Sequence, residues 1–318
     1  METEYEKYVC DKNTLKQTLE QYGVAIIPNV INEEECEEMR DGIWSFFEHI
    51  SQRWSKPIDR NDVKTWRGIY ELYPLHSQLF QHWNVGHAQV SWTLRQKPKI
   101  VDIFAKLWNC KRRDLLTSFD GLSMCLPPEK TNKGWQHKTW FHTDQSYQRN
   151  DIECIQSWIT ANDVNESDAS LAIYEGSHLL HAEFADTFGI DKKEDWYKLS
   201  ATEEQFYETR CPKRKIVCPA GSMVFWDSRT IHCGSNPTKD RSVENIRQVI
   251  YLCYTPRYLC HNLMKKQEYF DTMRTCNHWP HKPKPFAKNP RTYGKDLPVI
   301  EPIEPPILSD LGMRLAGY

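Results

Sequence analysis

No stretch of this 318-residue chain is apolar enough, for long enough, to cross a bilayer. The most apolar run, "VAIIPNVI" at residues 24–31, is far too short and holds Pro28. The N-terminus is polar and acidic and lacks the apolar core of a signal peptide, so a reducing, cytoplasmic location is expected. Charge of one sign is also lacking. A formal net charge of −2 gives no field that would draw the chain to nucleic acid or an anionic membrane. There are 11 cysteines, an odd number, and no C-x-x-C pair. That argues against a disulfide framework or a zinc ribbon, leaving buried or half-buried thiols. No internal repeat is visible.

What remains is the composition of an ordinary folded protein, 39% hydrophobic and 26% charged. The first part, residues 1–114, reads as a mostly helical support. "DKNTLKQTLEQYG" carries Leu15 and Leu19 at helical spacing and stops at Gly23. "VAIIPNV" follows as a short buried strand. Asn32 then caps a helix with an acidic first turn, whose apolar face is Met39, Ile43, Phe46, Phe47 and Ile50. "KPKIVDIFAKLWN" predicts a further helix.

From about residue 115 to 258 short β-like runs alternate with Gly, Pro, Asn and Asp, which predicts a sandwich or barrel. A polar, charged stretch at about 181–210 interrupts them as a helical insertion over the sheet. Residues 259–318 form a tail. Eight of the 18 prolines follow residue 279, so an extended path is expected, packed on the core through Ile300, Ile303, Ile307, Leu308 and Leu311. The whole reads as a single domain.

The chemistry begins at "TWFHTDQSYQ". On a strand, His142 and Asp144 would point to one face, offering two of the three protein ligands of a non-haem iron site. H-x-D alone is weak evidence. "PAGSMVFWDSRTIHCGSNP" adds His232, in a short loop after a buried strand. Arg247, fifteen residues on, opens the next strand and could hold the far carboxylate of a dicarboxylic cosubstrate in a bidentate contact.

In this order, H-x-D, "ASLAIYEGSH" (169–178), "AGSMVFWDSRTIH" (220–232) and Arg247 resemble the phytanoyl-CoA dioxygenase-like iron(II)/2-oxoglutarate oxygenases, over roughly residues 20–258. The resemblance implies a mainly β fold with flanking helices around a double-stranded β-helix, a cupin-like jelly-roll. It implies Fe(II) held by His142, Asp144 and His232, with 2-oxoglutarate anchored by Arg247 rather than by the competing Arg241. No residue of "LSMCLPPE" matches the family's holder of the 1-carboxylate, so Gln136, Gln156 and Trp158 are the candidates. It further implies O2 as oxidant, ascorbate as a stimulant, and decarboxylation to succinate and CO2 coupled to hydroxylation of an aliphatic carbon. A carboxylate at 144, where related halogenases have a small residue, favours hydroxylation over halogenation.

The expected substrate is a small molecule. A protein side chain is the alternative, and a catalytically silent jelly-roll binding protein a third reading. His178 reads as structural and His137 as a loop residue, while the remaining histidines, His278 among them, read as structural or exposed. Trp140, Phe141, Trp158 and Trp226 read first as core. "KKQ" and "HKPKPFAK" read as solvated basic runs.

Overall fold

The computed structural model describes residues 1–72, 79–133, 140–239, 241–290, 294 and 296–318. Its strands in chain order are β1 (Glu2–Glu4), β2 (Val24–Ile27), β3 (Leu79–Phe80), β4 (Leu115–Thr117), β5 (Leu122–Cys125), β6 (His142–Thr143) and β7 (Ile155–Thr160). There follow β8 (Ser170–Tyr174), β9 (Tyr197–Lys198), β10 (Lys213–Ile216), β11 (Met223–Asp227), β12 (His232–Ser235), β13 (Arg247–Tyr251) and β14 (Tyr254–Pro256). Twelve of these build two six-stranded sheets, ordered β1-β10-β8-β12-β6-β9 and β2-β11-β7-β13-β5-β3. Pairing is antiparallel except for β1 beside β10. Two facing antiparallel sheets flanked by helices are the jelly-roll architecture the resemblance implied.

Side-chain alternation explains the layers. Leu171, Ile173 and Ile216 of the first sheet meet Val24, Ile26, Val224 and Val249 of the second in one interior cluster. On the outer side of the second sheet, Met223, Phe225, Ile159 and Ile250 pack on Met39, Ile43, Phe47 and Phe104 of the helices. On the outer side of the first, Ala172, Tyr174 and Cys233 meet Phe184, Phe206 and Tyr207. Strands covered on both faces need no polar alternation, which is why they read as continuous apolar runs.

The helices follow local signals. Helix Leu15–Tyr22 ends at Gly23 with φ of 75°, where a Cβ would lie 2.5 Å from Thr230 Oγ1. Helix Glu33–Ser51 opens with a capping box: Asn32 Oδ1 accepts from the Glu35 N–H, and the Glu35 carboxylate from the Asn32 N–H, both at 2.9 Å. Helix Pro98–Leu107 has its proline in the first turn, where no hydrogen bond is lost.

Two expectations need correction. The insertion is not wholly helical: between helices His181–Phe188 and Ala201–Glu208 the short strand β9 pairs with β6. The tail is not wholly extended either. Helices Leu263–Asp271 and Asp310–Ala316 lie in its proline-free ends, outside the span 280–306 that holds the prolines. Among the described residues between them, 296–306 run over the body, where the Trp54 indole donates to the Val299 carbonyl at 2.7 Å and His49 Nε2 to that of Pro302 at 2.8 Å. Leu297, Ile300, Ile303 and Leu311 pack on the helical core, whereas Ile307 is exposed.

Candidate metal centre

His232 does not sit in a loop. It opens β12, in register with His142 on β6, so the two imidazoles are cross-strand neighbours with ring centroids 4.3 Å apart. The turn between β11 and β12 brings them together. Asp227 takes three bonds from Arg229, and the Ser228 carbonyl accepts the backbone N–H groups of Asp144 and Gln145 at 3.0 and 3.1 Å. The carboxylate and the second histidine are thus fixed to one another through backbone.

Each imidazole directs Nδ1 at a carbonyl two residues earlier: His142 at Trp140, 3.1 Å, and His232 at Thr230, 2.9 Å. A carbonyl oxygen only accepts, so both Nδ1 atoms carry the proton and both Nε2 atoms present lone pairs. Those nitrogens lie 3.7 and 3.3 Å from the Asp144 carboxylate oxygens. Burial, together with His232 beside it, lowers the His142 pKa to about 4, so it is neutral at physiological pH. Burial pushes the Asp144 carboxyl up, but His278, His142 and His232 prevail and hold it well below the usual carboxylate range. The Gln156 amide, reaching across from β7, donates to Asp144 Oδ2 at 2.8 Å and so favours the ionised form.

Two lone pairs and a carboxylate therefore converge, with ligand atoms all within 4.8 Å and the three side chains buried. Acceptors crowded this closely repel unless a cation lies between them, and two imidazoles plus one carboxylate suit iron(II) with positions left open. The donor set fits the metal.

The triad opens into a cavity of about 500 Å³. Trp140, Trp158 and Trp226 line it; Trp158 and Trp226 also belong to the interior cluster between the sheets, and Phe141 packs behind the sheet. Trp140 stacks on His142 at 4.5 Å. Arg247 is buried on the same wall, its Nη1 donating to Ser123 Oγ at 2.7 Å and its guanidinium 5.5 Å from the Trp158 ring. Among the described residues, Arg247 Nε and Trp158 Nε1 have no acceptor. A cation and an indole N–H, both donors only, fit a carboxylate. Arg241 is engaged elsewhere, paired with Glu129 and Asp168.

The structure thus brings His142, Asp144, His232, Arg247, Gln156 and Trp158 to one cavity. Gln156 was expected against the cosubstrate, but its amide N–H is bound to Asp144. Gln136 and His137 lie outside the described residues. Tyr147, near the H-x-D motif, faces Tyr207 in the core, its hydroxyl 3.1 Å away. His178 bonds the Glu20 carbonyl at 3.0 Å, away from the cavity. Sequence reasoning missed the wall built by the insertion and the tail: Asp195, Trp196, His278, Trp279, Lys284 and Phe286. Its only signal was a cluster of histidine and aromatics inside a proline-rich segment. "KKQ" is not solvated throughout: Lys266 is fully buried, with Nζ donating to the Thr117 carbonyl at 2.5 Å.

A curated relative, the Ava biosynthesis cluster protein O of Aspergillus versicolor, is 26% identical over 271 residues, covering 82% of this chain and 83% of that protein. Among solved structures, a Salmonella typhimurium LT2 protein aligns with a TM-score of 0.56 at 12% identity, over 96% of this chain and 82% of its own. The GlcNAc Inducible Gene 2 protein of Candida albicans also gives 0.56 at 12%, over 83% and 68%. At such identities the structures share the fold alone. The phytanoyl-CoA dioxygenase (PhyH) family matches residues 19–242, most of the chain and all three triad positions. On that match the chain belongs to the PhyH family, and it is an enzyme of the iron(II)- and 2-oxoglutarate-dependent class.

Proposed function

We propose that this enzyme hydroxylates an aliphatic carbon of a small molecule, with His142, Asp144 and His232 as the iron ligands and Arg247 as the anchor of the distal carboxylate of 2-oxoglutarate. The observation that carries this reading is the convergence of two Nε2 lone pairs and an ionised carboxylate beside a buried arginine. Iron(II), 2-oxoglutarate and O2, when bound, supply an oxidant strong enough to cleave a C–H bond, with succinate and CO2 as coproducts. The chain's own residues do the rest. The two backbone carbonyls hold the imidazoles in one tautomer, Gln156 orients Asp144, and Arg247 with the Trp158 N–H sets the direction from which a dicarboxylate enters.

A small molecule suits a cavity of about 500 Å³ walled by aromatic side chains. The fungal relative's name as a biosynthesis cluster protein supports the same class. A protein side chain fits less well, because Trp196, Trp279 and Phe286 wall the space above the triad. Among the described residues no helix is long and apolar enough to cross a membrane. The eleven unpaired cysteines favour a reducing compartment, which we take to be the cytoplasm. We also read the helical support, the sheets and the tail as one domain.

The test is a small-molecule screen by substrate-stimulated succinate formation under labelled O2. The reading predicts a product one oxygen atom heavier than its substrate, carrying the label. A product lacking the label, or one only desaturated, would contradict hydroxylation.

A further inference from the structure

Trp196 combines three properties that seldom meet in one residue. Its φ is +72°, in the left-handed region that a bulky side chain rarely adopts. Its side chain is 51% exposed although large and apolar. It also lines the cavity above the triad, its ring 6.0 Å from His142 and 6.5 Å from Trp140. Trp83, also left-handed, shows the bland alternative: it is buried and its indole donates to the Leu72 carbonyl at 2.9 Å. Trp196 gains no such burial, so the strain of that conformation is kept without a packing return in the protein alone.

The surroundings hold this conformation in place from both sides. On one side, Tyr197 and Lys198 pair with Thr143 and His142, so the strand that follows directly on Trp196 is bonded to the strand carrying the first ligand. On the other, Asp195 accepts from the Ser146 N–H at 3.1 Å and pairs with Arg149 and with Lys282 of the tail, 3.2 Å away. Glu153 pairs with the same two cations and closes the network. Lys282 in turn lies 3.7 Å over the ring of Trp279, another wall residue. The insertion and the tail are therefore latched to each other beside the triad, with Trp196 presented to the cavity.

We propose that Trp196 is the platform on which the primary substrate rests, and that this substrate is a small molecule with an apolar ring system that stacks against Trp196 and Trp140. The proposal rests on the iron(II)/2-oxoglutarate reading above. A flat or alicyclic ring covers the exposed indole face that the fold leaves open, and the short distance to His142 sets that ring next to the reacting position. A linear chain of equal carbon number matches a planar indole face less well.

The test uses holoenzyme with Fe(II) and 2-oxoglutarate, without O2, titrated calorimetrically with 2-naphthol and, as a linear comparison, n-decanol. Wild type binds 2-naphthol more tightly than n-decanol. Trp196→Ala weakens 2-naphthol by about tenfold or more, and Trp196→Phe restores most of the loss. In both variants the visible charge-transfer band of the Fe(II)–2-oxoglutarate complex stays at wild-type strength, which shows an intact metal centre. Equal 2-naphthol affinity in wild type and Trp196→Ala, or no binding to wild type, overturns the platform. Absence of the charge-transfer band in wild type overturns instead the reading beneath it.

Discussion

His142 and His232 face each other as cross-strand partners, and each ties its Nδ1 to the carbonyl of the residue two positions earlier. The symmetry leaves both Nε2 lone pairs aimed at Asp144, and it is produced by backbone alone. Side chains that set such a site are therefore few, and each can be removed separately.

Gln156 is the first. Its amide donates to Asp144 Oδ2 at 2.8 Å. Replacing it with Ala frees the carboxylate to rotate. Iron affinity should fall by about 10–100-fold with little change in the thermal midpoint. Competition with a metal-sensitive dye measures this; unchanged affinity would remove Gln156 from the account.

Arg247 and Arg241 separate binding from stability. Arg247→Ala should raise the KM for 2-oxoglutarate by about 10–100-fold, since a hydrogen bond to a charged group contributes roughly 1.5–3 kcal/mol. Arg241→Ala should leave that KM alone. It removes the cation from the buried Asp168, whose other oxygen keeps its bonds from Asn165 and Asn245, and should instead cost about 1–3 kcal/mol of stability in denaturant melts. The opposite pattern would exchange their roles.

Acid should destabilise the apoprotein. Burial lowers the pKa of His87 to about 3 and that of His181 to about 4, both away from the metal ligands. A histidine whose folded pKa lies below its unfolded value near 6.5 gives up its proton on folding. The stability it supports is present above pH 6.5 and is lost as pH falls toward 4. From pH 7.5 to 5 each group should cost on the order of 2 kcal/mol, readable as a lower urea midpoint. Replacing both histidines with Gln should flatten the profile, and an unchanged slope would contradict it.

Lys266 gives the inverse experiment. Burial pushes its pKa down to about 7, its ammonium lies 3.9 Å over the Phe119 ring, and it touches no part of the triad. Holding a charge there is unfavourable at neutral pH. Lys266→Met should stabilise the protein by roughly 1–4 kcal/mol at pH 7. The gain should shrink as pH rises toward 10.5, where the unfolded lysine also loses its proton. A destabilised Lys266→Met at pH 7 would mean that the bond to the Thr117 carbonyl outweighs the burial.

These residues also mark what could be read in the sequence. Asn32 with Glu35, and Gly23, act within one or two turns of chain, and their signals were plain. The triad was legible because H-x-D is contiguous and His232 follows a strand flanked by recognisable turns. Gln156 reads only as one candidate for the cosubstrate because its partner, Asp144, follows a strand of the other sheet, and no local pattern encodes which strands face each other. Trp196, His278 and Trp279 were invisible for the same reason on a larger scale. They reach the cavity only after an insertion and a proline-rich tail have crossed the barrel mouth. Lys266 was read as solvated because charge in a sequence says nothing of what later covers it.

The central claim is most directly tested by anaerobic titration of the purified apoprotein with Fe(II) and 2-oxoglutarate, followed by exposure to O2. One iron per chain, a charge-transfer band that needs both additions, and slow succinate formation without substrate are predicted. His142→Ala and Asp144→Ala should each abolish all three. No iron-dependent succinate from wild type, or succinate that survives both substitutions, would contradict the account.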